Sequence, residues 1–501
     1  MKRFKLWHRT AFILLAPAMI CRAITGSLAA ILMLISCSVP VAADDIAPES
    51  LSTVTTLPPA QARQLVASMR GSTATIDTGK GNTWVKNGAR FPGALMLNGL
   101  QSLDAETAAV LATYARGPLF LDGLTELDTE AARALQGFQG GPNDRVSFGS
   151  GISLAELTTL SKEAAEALAE FPGDALNLGV VTLSDEAFNA LMNTKSRRLY
   201  LPRLASLPPG AVRAIRKFGG TSLSVTGLEV LSSEQAAALA SLSYKWSGRL
   251  PKLTNLSLES AQTLAGFNGT RLEIGTPMLT NETIEALSEF KGSFLLLSGL
   301  TELTYDAAMS LSKFSGSGLG LDGMTEISFD LANGLADFNC RGLWLDGLTE
   351  ISYDAARAIS YREPAVFLSL NGLTTLSPEV AQAIAKIKVS ELQLRGVAEL
   401  SQEAAAALVD GCGANNLSLG LTSLSAETAT ALANYANNSL FLRNLTTISD
   451  EAAIALGRIR CENLWLNELT DLSPQALRGL EAFKGKKFGG GVRLNERTRS
   501  R

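Results

Sequence analysis

Leu343-Trp344-Leu345-Asp346-Gly347-Leu348-Thr349-Glu350-Ile351, followed by Ser352-Tyr353-Asp354-Ala355-Ala356-Arg357-Ala358-Ile359, is one copy of a phrase that the chain repeats from end to end. Leu319-Gly320-Leu321-Asp322-Gly323-Met324-Thr325-Glu326-Ile327 stands one copy upstream, and Leu440-Phe441-Leu442-Arg443-Asn444-Leu445-Thr446-Thr447-Ile448 four copies downstream. Successive copies begin about 23 to 25 residues apart, a period of stacked repeat architectures. Regular copies run from Leu95-Met96-Leu97 to Leu464-Trp465-Leu466, and one interval is lengthened by a Gly-rich insertion at Gln139 to Gly151. The period predicts the fold before any single motif is weighed.

Each copy has three parts. The L-x-L core alternates with period two, so its leucines face one side and the residue between them the other. Asn-Gly or Asp-Gly often follows, as at Asn98-Gly99 and Asp322-Gly323, and supplies a sharp turn. A segment such as Leu160-Ser161-Lys162-Glu163-Ala164-Ala165-Glu166-Ala167-Leu168 then predicts a short helix. Ser or Asp suits its N-cap, Glu its positive end and Ala its propagation. An aromatic recurs five residues before the next strand (Tyr114, Phe171, Phe218, Phe267, Phe290, Phe314, Phe338, Tyr435, Phe483), which predicts a buried spine and a last strand near Phe488.

The ends differ from the middle. Lys2, Arg3, Lys5 and Arg9 precede two apolar runs split by Arg22, and Val41-Ala42-Ala43 offers a cleavage site. Residues 1–43 therefore read as an export signal. A lipobox at Leu34-Ile35-Ser36-Cys37 is the alternative and would lipidate Cys37; a retained anchor is the third reading, disfavoured by Arg22. Residues 44–94 read as a linker and N-terminal cap, with a helix at Gln61 to Met69, a strand at Ala74-Thr75-Ile76 and a loop at Gly79 to Arg90. Residues 95–487 form the regular array, and 488–501 a capping strand with a basic, solvated tail.

A strand, a turn and a short helix in each unit resemble the leucine-rich repeat, over nearly all of the chain after the signal. The closest look is to exported bacterial kinds, the Treponema/BspA-like type and those abundant in planctomycete-like bacteria. The resemblance implies an α/β leucine-rich-repeat solenoid with a parallel sheet on the concave face and short helices on the convex face. About eighteen strands at roughly 4.8 Å would extend it some 85 Å. One departure matters: the family's Asn three residues after the L-x-L pair is replaced by Leu100, Leu124, Leu300, Leu348 and Leu445. The turn must be satisfied in another way.

Chemistry narrows by subtraction. The one histidine, His8, lies inside the signal, so the remaining chain has no Ser-His-Asp triad, Cys-His pair or His metal ligand. No catalytic residue, metal site or cofactor is expected. The formal net charge of -4 gives no basic field for nucleic acid. Cys340, Cys412 and Cys461 fall at least two strands apart, about 10 Å or more, beyond the roughly 7 Å a disulfide spans, and are expected free and buried. Asp322 and Asp346 would lie about 5 Å apart on neighbouring strands. Asp122 stands in the same Leu-Asp-Gly-Leu-Thr wording, so a turn role explains all three better than catalysis or a cation.

The middle residues of L-x-L should face the concave solvent. Phe120, Tyr200, Trp344, Phe441 and Trp465 are aromatic there, in a chain only 6% aromatic. Exposed Trp and Tyr favour binding hot spots. With Arg443 and Asn467 they are the candidate ligand-binding residues, in patches near both ends; cross-strand packing is the competing explanation. The leading expectation is an exported, non-enzymatic protein that binds a protein or polysaccharide at the cell envelope, meeting membrane only through its signal or a lipid anchor. A self-assembling envelope or matrix component is the second. A polysaccharide-active parallel β-helix enzyme is the third, disfavoured by an Ala-rich helix in every copy.

Overall fold

Both leucines of each L-x-L pair turn to the same side and are withdrawn from water, and this fixes the architecture. The computed structural model describes residues 54–68, 94–138, 140, 150–336, 341–360, 365–469 and 472–489. The signal with Cys37, the expected strand at 74–76, the loop at 79–90, most of the 139–151 insertion, Phe338, Cys340 and the tail beyond 489 lie outside them.

Seventeen strands succeed one another among the described residues. They are β1 Leu95–Met96, β2 Leu119–Phe120, β3 Ile152–Leu154, β4 Ala175–Leu178, β5 Arg198–Tyr200 and β6 Ser222–Ser224. Then come β7 Arg249–Leu250, β8 Arg271–Ile274, β9 Phe294–Leu296, β10 Gly318–Gly320, β11 Gly342–Trp344 and β12 Ala365–Ser369. The array ends with β13 Val389–Leu394, β14 Asn416–Leu419, β15 Ser439–Phe441, β16 Asn463–Leu466 and β17 Lys486–Gly489, the last containing Phe488. All pairs are parallel and in repeat register, as in Leu295↔Leu319↔Leu343. The chain is an α/β leucine-rich-repeat solenoid.

The helices run from five residues (Ala211–Ile215) to ten (Pro59–Ser68). Their starts are set by side-chain caps: Ser161, Ser184, Thr280 and Ser425 each accept the backbone N–H three residues on. Each such cap contributes about 1 kcal/mol. Buried alanines, such as Ala164, Ala165 and Ala167, present the inward helix face. No described helix is long and apolar enough to cross a membrane.

The aromatic spine is present. Phe267, Phe290 and Phe314 stack nearly parallel, with centroids 6.3 and 6.4 Å apart. A glycine two residues after the aromatic makes room for the ring: a Cβ on Gly292 would stand 2.2 Å from the Phe290 ring. Cys412, at the same offset, is half-buried rather than buried, and Cys461 is buried beside its own strand. Burial pushes both thiols up, that of Cys461 to about 11.

The missing Asn ladder is replaced by another, immediately after the second leucine. Asn98 Oδ1 accepts the N–H of Asp122 (3.2 Å), and Asp122 Oδ1 that of Ala155 (2.9 Å). In the second sheet Asp322 takes the N–H of Asp346 (3.1 Å), Asp346 that of Asn371 (2.9 Å) and Asn371 that of Arg395 (3.0 Å). Each side chain satisfies the turn of the following repeat. The turn role expected of the aspartates is this ladder.

The expected single sheet is in fact two, of six and eleven strands, joined by one bridge between Leu223 and Trp246. The cause is local. Trp246 fills the spine place only four residues before Leu250, where Phe267 stands seven before the paired Ile274, after a 3-10 turn at Ser243–Lys245. The chain then swings through Ser243 at φ 50° and Gly248 at φ 69°. Too little chain remains to extend β7, which pairs with β8 only through Glu273 and Ile274.

Candidate functional site

The middle residues of the strands form one row on the side of each sheet opposite the leucines, and the two sheets treat that row differently. In the first sheet it is not solvent-facing, contrary to expectation. Met96 and Phe120 are buried, Phe120 only 1% exposed, in a second apolar cluster with Ala94 and Ala175. Tyr200 is half-buried against that cluster, and burial raises its hydroxyl pKa. Ser153 and Asn177 are buried too, linked by the Asn177 amide donating to Ser153 Oγ (2.9 Å). Cross-strand packing therefore accounts for Phe120, and that end of the sheet offers no open aromatic patch.

In the second sheet the row opens. Trp344 on β11 is half-exposed, and its indole folds down over Gly318 and Gly342, where a Cβ would stand 2.4 and 3.1 Å from its ring carbons. The outer edge of the indole thus lies against the sheet. Phe294 on β9 meets it edge-on at 6.1 Å and Phe367 on β12 at 5.0 Å, while the Arg271 guanidinium lies 5.8 Å from the Phe294 ring. Phe294 and Phe367 are a site component that reading the sequence missed. They occupy the place two residues before the middle position, so they share its face. The glycines at equivalent places on β10 and β11 were the signal.

Four strands on, about 19 Å by strand spacing, lies a second group. Phe441 stacks on Trp465 with centroids 5.4 Å apart, and Arg443 lies over both rings at 4.8 and 5.4 Å. Arg443 and Asn467 are exposed, Phe441 and Trp465 half-buried. The structure brings together the Phe441, Trp465 and Arg443 singled out from sequence, and leaves Trp344 in a separate group.

Between the groups the surface is a hydrogen-bonded polar floor. Ser369 Oγ donates to Asp346 Oδ1 (2.5 Å), and the Asn371 amide to Ser369 Oγ (2.7 Å) and Gln393 Oε1 (3.2 Å). The Gln393 amide donates to Glu391 Oε1 (2.5 Å). At the other end of the sheet, Arg249 pairs with the buried Glu273 at 2.6 Å. Asp322 and Asp346 belong to the ladder. Burial raises the Asp322 pKa against the Asp346 N–H it accepts, and the neighbouring charges of Asp346 and Glu273 raise it further. The arrangement sets half-exposed aromatic rings beside fixed hydrogen-bond donors and acceptors.

No protein-family model and no curated protein matches the sequence. Among solved structures, a TLR13–ssRNA13 complex is similar at 15% identity over 78% of this chain and 62% of that one, with a TM-score of 0.37. The Drosophila Toll–Spatzle complex is similar at 13% identity over 78% and 50%, with a TM-score of 0.34. A Listeria monocytogenes internalin, InlF, is 16% identical over 72% of this chain and 88% of that one, with a TM-score of 0.32. The chain thus spans 62% and 50% of the first two of these chains. These are likenesses of fold alone, and the chain is a leucine-rich-repeat solenoid by its own strands, turns and spine.

Proposed function

We propose that the protein is an exported bacterial recognition protein that binds an extended polysaccharide at the cell envelope along the open face of its second sheet. The observation that carries this is the pair of half-exposed aromatic groups, Phe294–Trp344–Phe367 and Phe441–Trp465–Arg443. Neither is required by the repeat: the equivalent middle positions elsewhere are Gly320, Ser369 and Ser418. An aromatic face carries negative charge density and attracts the partly positive C–H faces of a sugar ring. The floor from Asp346 to Gln393 supplies directed partners for hydroxyls. Export is supported by the basic and apolar leading segment ending at Ala43.

The test is a glycan array followed by calorimetry with the protein and its Trp344→Ala and Trp465→Ala variants. Affinity for a captured glycan should fall about tenfold or more in each. Unchanged affinity in both would remove the sheet face from the proposal, and capture of protein ligands alone would replace polysaccharide by protein as the partner. A second reading, side-by-side assembly, has its own observation. Tyr305, Phe329 and Tyr353 open three consecutive helices and are each more than 40% exposed. Light scattering separates it: assembly that grows with concentration, without ligand, and is lost in Phe329→Ser would favour it.

A further inference from the structure

The break between the sheets leaves a cavity of about 480 Å³, of the size of small-ligand sites. It lies where Arg271 and Leu272 of β8 run past the end of the shortened β7. Its lining is one-sided in chemistry. Arg271 and Lys291 bring two cations, Thr270 and Ser293 bring hydroxyls, and no lining residue is acidic. That is notable in a chain of net charge -4. The carboxylate nearest Lys291 is that of Glu289, outside the lining, in an exposed pair with it at 3.1 Å that a bound carboxylate would replace.

Two of its lining residues hold polar atoms that the fold leaves unused. Trp246 is 3% exposed, and its indole Nε1 has no hydrogen-bond partner among the described residues; neither does the buried Ser247 Oγ. An indole N–H only donates, and buried donors are rarely left unmatched without a reason. Both atoms are closed to solvent, so the chemistry the cavity presents is set by its two cations, which suit an acceptor-rich anion. Tyr244, 81% exposed, adds an aromatic face to the same lining. Arg271 lines the cavity and also lies over the Phe294 ring, the first member of the Trp344 group. The cavity and the aromatic face are thereby joined through one side chain.

We infer that this cavity is a subsite for a carboxylate-bearing sugar, so that the polysaccharide taken by the sheet face is an acidic, uronate-containing one. This rests on the polysaccharide reading above. The carboxylate is held by Lys291 and Arg271 as charge-assisted hydrogen bonds. The hydroxyls of Thr270 and Ser293 face the sugar's own hydroxyls, and the next units continue over Phe294 towards Trp344.

Calorimetry on the full chain with trigalacturonate, its methyl ester and neutral galactotriose tests the inference. The free acid should bind about tenfold or more tighter than the ester or the neutral trimer. The advantage should shrink with salt and be lost in Lys291→Gln and Arg271→Gln, with unfolding midpoints unchanged because both side chains lie at the surface. Trp344→Ala should weaken longer chains more than the trimer. Equal binding of acid and ester, or full retention of the preference in Lys291→Gln, overturns the acidic subsite while leaving the sheet-face reading intact. Absence of binding to every glycan overturns both.

Discussion

Asp346 Oδ1 accepts the backbone N–H of Asn371, one repeat further on, at 2.9 Å. It is a rung of the ladder by which Asp322, Asp346 and Asn371 each tie their turn to the next repeat, and the same oxygen also takes the Ser369 hydroxyl. Asp346→Ala should leave both donors unmatched and lower stability by about 1–3 kcal/mol. Asp346→Asn should cost less, because Asn371 performs the same task towards Arg395. Denaturant titration of both variants measures the difference.

Asp322 gives the ladder a pH signature. Its folded pKa is raised above 3.8, first by burial and also by the charges of Asp346 and Glu273. Below 3.8 both folded and unfolded states hold the proton. As pH rises from there to the folded value, the unfolded state loses the proton first, so this group's contribution to stability falls. Asp322→Asn keeps an oxygen for the Asp346 N–H and removes the titration. The variant's advantage over the native protein should therefore grow with pH across that window and stay level above it. A constant difference from about pH 3 to 8 would contradict the assignment.

The junction between the sheets depends on Gly248. Its φ of 69° disfavours any side chain, and a Cβ there would stand 2.0 Å from the Arg271 carbonyl oxygen. Gly248→Ala should cost about 1–3 kcal/mol and disturb the Trp246 environment. Thermal unfolding and tryptophan emission would report the two effects. Gly411, also at positive φ but with nothing near its Cβ, is the control for conformation without crowding.

Phe120 and Trp344 occupy equivalent places in their repeats and should respond oppositely to truncation. Phe120→Ala empties a buried apolar cluster and should cost about 3–5 kcal/mol. Trp344→Ala should cost only about 1 kcal/mol, the scale of its contacts with Phe294 and Phe367, while its main effect falls on ligand affinity. Paired melting and binding measurements on the two variants would expose a reversal.

Cys461, 4% exposed with its thiol raised to about 11, should resist alkylation in the native protein near neutral pH. Thiolate is scarce there and the sulfur is covered. Iodoacetamide labelling and mass spectrometry should show modification of Cys461 only after unfolding, with half-buried Cys412 modified earlier.

The repeat, the direction of the leucines, the caps and the spine are all legible in the amino-acid order. All of these arise from the local spacing of side chains along one strand–turn–helix unit. Leu343 and Leu345 must share a side, and Ser161 must cap the helix it precedes, whatever lies alongside. That order also names Phe441, Trp465 and Arg443, because a face shared by adjacent strands can be read off the period. Tertiary structure decided whether a residue on that face meets water. Phe120 and Trp344 have the same motif position, yet one packs into a cluster with Met96, Ala94 and Ala175, and the other lies over glycines and stays half-exposed. Only the structure could place the cavity at Trp246, because it arises from strand pairs that fail to form. Pairing between repeats depends on how much chain each one spends before its strand, and that is settled in three dimensions.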